Sequence, residues 1–184
     1  MPELTLALAQ MSAGPDPAEN LLKAREYAGR ASKAGARLLL FPEMFMALPQ
    51  AGEPLSKVAE PLDGPFASAL AGLGREFQIY IAGCVWEKVP GSQKVFNVAC
   101  LFDPEGKPGQ VLGMRGTAPC TLAFPTAAAL GGEDELVIVD QQRMLVLRWS
   151  VSSNRCLGEY FGPGDAPGFL YYPMDLALDR SGQL

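Results

Sequence analysis

The 184-residue sequence contains no histidine. Catalytic Ser-His-Asp triads and Cys-His pairs depend on an imidazole base, so the sequence excludes both. Most zinc sites use histidine too, and the four cysteines form no CxxC pair that could replace it. Any hydrolytic chemistry in this chain must therefore use a base of another type.

Basic clusters and long apolar runs are also missing. The formal net charge is −5 and the pI is about 4.8, whereas phosphate binding needs clustered Lys and Arg. We therefore expect no nucleic-acid partner and no membrane partner. No apolar run approaches the about 18 residues of a membrane span, and the N-terminus lacks the basic region of a signal peptide. Together with the scattered cysteines, these features predict a cytoplasmic protein with reduced thiols.

The first 41 residues show an alternation of strand and helix patterns. Residues 3–10 alternate as in a strand, and Asp16 is placed to cap a helix that begins at Pro17. We predict that this helix spans residues 17–34, with Gly35 as its C-cap. Its predicted buried side is Leu21, Leu22, Ala24, Ala28 and Ala31. A continuous apolar strand follows at 37–41, and the strand–helix–strand order predicts an α/β layer fold.

The middle of the chain gives a further helix and two paired strands. Residues 44–62 are punctuated by proline and glycine and predict a loop. The predicted elements after it are a helix at 65–77 and an antiparallel hairpin at 79–88 and 94–103. Beyond residue 110 only 135–140 and 144–150 are typical of strands. The segment 152–184 predicts mostly turns. No second domain is indicated, so we predict one domain over 1–184.

Several segments together resemble the nitrilase superfamily of carbon–nitrogen hydrolases. The similarity lies in LALAQM, DPAENLLKAREYAGRASKAGARLLLFPEMF, PLDGPF, IAGCVWEK and VFNVACLFDPEGK. These segments match over about 1–107, whereas 108–184 is divergent. The resemblance implies an α/β fold of the nitrilase-like α-β-β-α sandwich type, with a C-terminal part that is truncated or divergent. It also implies association into a homo-oligomer. Since the sequence shows no P-loop, no GxGxxG and no cluster of metal ligands, we expect no cofactor and no metal ion.

The resemblance implies a Glu/Lys/Cys mechanism in which Glu43 is the general base. Glu43 directly follows the buried strand LLLFP, at the strand end where α/β folds place their sites. The family's lysine position falls on Gly116, with Arg115 beside it as the remaining candidate oxyanion partner. A cation near the developing oxyanion is what such acyl chemistry requires.

The family's nucleophile position falls on Ser150 instead of a cysteine. Cys156, six residues later in CLGEYFGP, is the other candidate nucleophile, since this segment faintly resembles the family's cysteine motif. A serine without an activating base is a poor nucleophile at neutral pH. The motif therefore predicts a carbon–nitrogen hydrolase of small amides or nitriles whose turnover is impaired.

Two alternatives remain open at this point. The chain could be a non-catalytic relative, a pseudoenzyme that binds a small amide or a protein partner. It could also be a truncated, frame-disrupted product without function of its own. The residues at 116 and 150 discriminate between hydrolase and pseudoenzyme, because an intact cation and thiol there would favour catalysis.

Overall fold

The computed structural model describes residues 3–92, 94–179 and 182. Two compact units divide the chain, Met1–Gln110 and Val111–Leu184. The division lies close to residue 107, where the similarity to the nitrilase superfamily weakens. The single domain over 1–184 stays a prediction.

The first unit contains one four-stranded sheet and two α-helices, which fall where the sequence pattern predicts them. Its sheet has the order β1-β2-β3-β4, with β1–β2 and β2–β3 parallel and β3–β4 antiparallel. The parallel pairs follow from strand–helix–strand connections, and the antiparallel pair is the predicted hairpin. The elements are β1 (Leu6–Leu8), α1 (Pro17–Lys33), β2 (Leu38–Leu40), a 3₁₀ helix (Leu55–Lys57), α2 (Pro65–Phe77), β3 (Tyr80–Lys88) and β4 (Val95–Phe102).

Helix α1 begins at Pro17 as predicted, ends one residue early at Lys33 with Ala34 and not Gly35 as its C-cap, and exposes one of its predicted core residues. The Asp16 carboxylate accepts a hydrogen bond from the Ala18 backbone N–H at 2.8 Å. Gly35 follows the helix with φ +77°, a conformation that glycine adopts without strain. Leu22 is 70% exposed instead of buried. At about 100° per residue it lies on the side opposite Ala24, which faces the core.

The two faces of the first sheet differ in burial. One face belongs to a core with both helices, in which Leu39, Ile81 and Val85 are at most 1% exposed. The other face is apolar and open. Leu6, Leu8, Tyr80 and Leu101 are 48%, 73%, 38% and 42% exposed there.

The second unit is an antiparallel sheet of the order β5-β6-β7-β8. Its strands are β5 (Pro125–Leu130), β6 (Glu135–Asp140), β7 (Leu145–Ser150) and β8 (Arg155–Tyr160). Strands β6 and β7 agree with the prediction. Strand β5 lies in a segment that shows no usable pattern, and β8 lies in the tail that was expected to form mostly turns, so that expectation is wrong for 155–160.

Both faces of the second sheet are covered by segments of the same unit. Ile138, Leu147 and Trp149 pack with Leu112 and Leu122 on one face. On the other face the valines of β6 and β7 pack with a later segment: Val137, Val139 and Val146 with Leu170, Leu176 and Leu178.

Within residues 3–92, 94–179 and 182, no helix is long and apolar enough to cross a membrane.

Candidate active site

Glu43 stands just beyond the carboxyl end of β2. The Phe41 backbone N–H still donates to the Ala82 carbonyl of β3, at 2.8 Å, before Pro42 ends the pairing. A turn follows at 43–46, in which Met44 has φ +58°. Glu43 is exposed. The structure therefore presents this carboxylate at a strand mouth, where the motif predicts it.

The turn that carries Glu43 is held to the rest of the first unit by buried hydrogen bonds. The Trp86 indole N–H donates to the Ala47 carbonyl at 2.9 Å, and the Trp86 backbone N–H donates to Met46 Sδ at 3.2 Å. The side-chain amide of Asn20 donates to the Met46 carbonyl at 3.1 Å. These bonds join α1, the turn and β3, so the backbone beside Glu43 is fixed.

Phe45 is completely buried and inserts against β3 at Gly83. A Cβ added at Gly83 would lie only 2.4 Å from the Phe45 ring. The close approach therefore requires glycine at this position of β3. The ring also stacks on Phe41, with centroids 4.6 Å apart. The turn after β2 is thus anchored by packing as well as by hydrogen bonds.

Asn97 on β4 is a hydrogen-bond partner of Glu43 that the sequence analysis did not identify. Its side-chain Nδ2 donates to Glu43 Oε1 at 2.6 Å. Asn97 faces Trp86 in the β3–β4 ladder. The available signal was a single amide within an otherwise apolar strand, VFNVACLF.

Two thiols of the first unit lie on β3 and β4. Burial, followed by the negative charge of Glu43, raises the pKa of the half-buried Cys84 thiol. Burial, followed by Cys84 and Glu87, raises the pKa of Cys100. Both thiols are therefore protonated at neutral pH, and neither has the lowered pKa of an activated nucleophile.

Ser150, which the resemblance places at the family's nucleophile position, closes a turn in the second unit. Its side chain is buried, and its Oγ donates to Asp134 Oδ2 at 2.6 Å and lies 2.6 Å from Ser153 Oγ. The bond from Ser150, followed by the backbone N–H of Ser152, lowers the pKa of Asp134. A carboxylate with a lowered pKa is a weaker base, so this pair is a poor way to activate a serine.

Cys156, the other candidate nucleophile, forms a disulfide bond with Cys120. The expectation of four reduced thiols is therefore wrong for this pair, while Cys84 and Cys100 are free. Because the thiolate is the reactive species, a sulfur in a disulfide cannot attack a substrate. The nucleophile role of Cys156 stays a prediction for the reduced protein, and the cytoplasmic location likewise stays a prediction.

The predicted oxyanion position lacks a lysine. The Gly116 backbone N–H donates a hydrogen bond to the Leu122 carbonyl at 3.0 Å. A Cβ added at Gly116 would lie 2.9 Å from Thr121 Oγ1. Arg115 is exposed and forms a parallel bridge with Leu122. Its role as oxyanion partner is untested.

Another arginine of the second unit, Arg143, is engaged in a partly buried network. Its Nη1 lies 2.6 Å from Glu159 Oε1 and donates to the Thr121 carbonyl at 2.7 Å. The guanidinium lowers the pKa of Glu159, which also accepts the Cys120 N–H at 2.6 Å. This cation therefore serves the folding of the second unit.

No metal site emerges from the described part of the chain. Among residues 3–92, 94–179 and 182, no three Cys, Asp or Glu side chains group so that they could hold a metal ion.

The family model for carbon-nitrogen hydrolases matches residues 5–169. The chain belongs to this family. A hydrolase of Mycobacterium tuberculosis is 39% identical over 107 residues, which are 58% of this chain and 37% of that protein. An omega-amidase of Bos taurus is 32% identical over 107 residues, with 58% of this chain and 38% of that protein covered.

A solved structure extends the likeness to the fold. Saccharomyces cerevisiae Nit3, a member of branch 10 of the nitrilase superfamily, is 27% identical with a TM-score of 0.51, over 57% of this chain and 41% of that chain. The chain thus spans less than half the length of each of these three relatives. Membership of the nitrilase superfamily and an α/β fold of its type are confirmed.

Proposed function

We propose that this carbon–nitrogen hydrolase homologue acts on a small amide or nitrile through Glu43 as general base, with greatly reduced turnover. The observation that carries the proposal is the carboxylate of Glu43, oriented at the end of β2 by Asn97. The similarity to an omega-amidase supports an amide as the substrate class.

The role of Glu43 would be to accept the proton of the attacking nucleophile. A carboxylate within hydrogen-bond reach can do so when the nucleophile is protonated at working pH. With water as the nucleophile, its oxygen would bond to the amide carbon while Glu43 takes its proton, and the C–N bond would break as that proton passes to the nitrogen, which leaves as ammonia or an amine. A nitrile would take up two water molecules before it releases ammonia. In this proposal the carboxylate of Glu43 replaces the histidine base, which the sequence lacks.

The reduced turnover follows from the residues at the other two positions. Ser150 is hydrogen-bonded to Asp134, and Gly116 has no side chain. Loss of the nucleophile in a catalytic unit of this kind typically costs about 10⁴- to 10⁶-fold in rate. Loss of the oxyanion partner removes about 3 kcal/mol of transition-state stabilisation, and the two effects do not simply add.

Ammonia release from a panel of small ω-amides and nitriles tests the proposal. We expect slow release in long incubations with the wild type and none above background with Glu43→Gln. The matched control is Glu105→Gln, which alters an exposed glutamate in the turn after β4 and leaves release unchanged. Equal release from wild type and Glu43→Gln would contradict the role of Glu43.

A non-catalytic binding protein is the second candidate, favoured by the state of Ser150. It predicts saturable binding of a small amide, weakened in Glu43→Gln, with no ammonia release by any variant. A frame-disrupted product without function predicts neither binding nor release.

A further inference from the structure

Asn97 occupies a defined place on the face of the β3–β4 ladder. In this antiparallel pair Trp86 lies opposite Asn97, and Cys84 lies opposite Ala99. Directly opposed residues and their second neighbours along each strand share a face of the sheet. The bond from Asn97 therefore brings the carboxylate of Glu43 to the face that carries Cys84.

Both ends of the Asn97–Glu43 hydrogen bond have fixed backbones. Glu43 is carried by the turn that Trp86 and Asn20 hold through Ala47 and Met46. Asn97 belongs to an eight-residue ladder with β3. The direction of the carboxylate is thus decided by its side-chain torsions and by the donor that meets it.

We propose that Asn97 is a positioning residue for Glu43, whose amide holds one carboxylate oxygen and leaves the other as the proton acceptor. Nδ2 of Asn97 donates to Oε1, while Oε2 accepts no hydrogen bond from the described residues. The inference rests on the proposed role of Glu43 as base and deepens it. An amide donor can orient a carboxylate without neutralising its charge, whereas a lysine or arginine would neutralise it.

Cys84 supplies a readout of this geometry that does not depend on turnover. The negative charge of Glu43 is one of two causes that raise the pKa of the Cys84 thiol; burial is the larger one. Moving or removing the carboxylate therefore increases the thiolate fraction of Cys84. Alkylation by iodoacetamide, mapped to Cys84 by peptide mass spectrometry, measures that change because only the thiolate reacts.

The experiment compares the Cys84 alkylation rate at pH 8 in the wild type, Glu43→Gln, Asn97→Ala and the double variant. We expect Glu43→Gln to react faster than the wild type, since the gain in thiolate exceeds the accompanying loss of nucleophilicity. Asn97→Ala changes the rate in the same direction, because the carboxylate is no longer held over the ladder. In the Glu43→Gln background, Asn97→Ala has no further effect.

The matched control is Glu87→Gln. Glu87 is a cause of the raised pKa of Cys100, not of Cys84. This variant therefore speeds alkylation at Cys100. The Cys84 rate stays at the wild-type value, unlike in Glu43→Gln. It shows that the labelling resolves one carboxylate from another.

Three results would overturn the proposal. An unchanged rate in Glu43→Gln means that the carboxylate is not held near Cys84. An unchanged rate in Asn97→Ala means that Asn97 does not hold it. An equal acceleration by Asn97→Ala with and without Glu43 means that the substitution only loosens β4. A chain that hydrolyses no amide leaves all of these outcomes readable, so failure of the proposed function is distinguishable.

Discussion

At the scale of single residues, Ser150 and Asn97 show that position and role are separate properties. Ser150 stands at the position that the resemblance assigns to the nucleophile, yet its hydroxyl is bonded to Asp134. Asn97 has no predicted role, yet its amide donates to the carboxylate of Glu43, the proposed base, at 2.6 Å. Function at each position depends on the partner that the fold brings to it.

The Ser150–Asp134 bond predicts a pH-dependent contribution to stability. The bond lowers the pKa of Asp134 in the folded protein. The ionised carboxylate therefore stabilises the fold fully at pH values above its ordinary pKa of about 3.9. This stabilisation is lost as the pH falls through the lowered pKa of the folded state. We expect Ser150→Ala to lower the melting temperature at pH 7, with a gap that shrinks towards pH 3. Thermal melts followed by circular dichroism at several pH values measure this difference in melting temperature between the wild type and Ser150→Ala.

Ser68→Ala is the matched control, because the Ser68 hydroxyl donates to a backbone carbonyl, that of Asp63. Its melting-temperature gap has no such acid dependence. A Ser150→Ala gap that stays constant from pH 7 to pH 3 would show that the Asp134 carboxylate is not the group that Ser150 stabilises.

At the scale of elements, the turn after β2 depends on one buried amide. Asn20 on α1 is fully buried, and it bonds to Gly14 through both its amide nitrogen and its oxygen. The same side chain donates to the Met46 carbonyl beside Glu43. A single residue thus joins the segment after β1, helix α1 and the turn that carries the candidate base.

Asn20→Ala is expected to destabilise the first unit by about 2 kcal/mol, since it removes the hydrogen-bond partners of the partly buried Gly14 N–H and of the buried Met46 carbonyl. Chemical denaturation followed by tryptophan fluorescence measures the loss, because Trp86 lies in this unit. Asn97→Ala, at an exposed position, is the control and should cost far less. A loss below about 0.5 kcal/mol for Asn20→Ala would contradict the anchoring role.

The elements differ in how far the sequence predicts them, and the reasons are physical. Helix α2 and strand β3 have strong periodic patterns and a core of their own, so their bounds were predicted within one residue. Strand β5 is PTAAAL, rich in a residue with low strand propensity, and β8 contains Gly158 and two charged residues. Both strands exist because β6 and β7 offer them partners, which no local pattern encodes.

The features of the candidate site likewise differ in how far the sequence predicts them. Glu43 was predictable because it follows a strand directly in sequence. Asn97 lies 54 residues from Glu43 along the chain, so their hydrogen bond depends on the pairing of β3 with β4. The engagement of Ser150 with Asp134 and of Cys156 with Cys120 likewise depends on contacts between distant segments.

At the scale of the whole molecule, a covalent link distinguishes the two units. The Cys120–Cys156 disulfide bond closes a loop with a sequence separation of 36 that contains β5, β6 and β7. Such a loop contributes about 4 kcal/mol of stability, because it restricts the unfolded chain. The first unit has no link of this type, since Cys84 and Cys100 are free.

Thiol titration in denaturant tests this arrangement. Protein purified without reductant should show two reactive thiols, and reduction should raise the number to four, because all four cysteines are then accessible. Cys120→Ser is the control. It should show three thiols without reductant, since Cys156 loses its partner. Four thiols in the unreduced wild type would contradict the disulfide.

The open face of the first sheet has a practical consequence. Leu6, Leu8, Tyr80 and Leu101 offer apolar surface to solvent in the native state, with Leu8 at 73% exposure. A hydrophobic fluorophore such as ANS would bind there and brighten even when every chain is correctly folded. Fluorophore emission therefore cannot serve as a misfolding assay for this protein, whereas near-ultraviolet dichroism of its two tryptophans, Trp86 and Trp149, can.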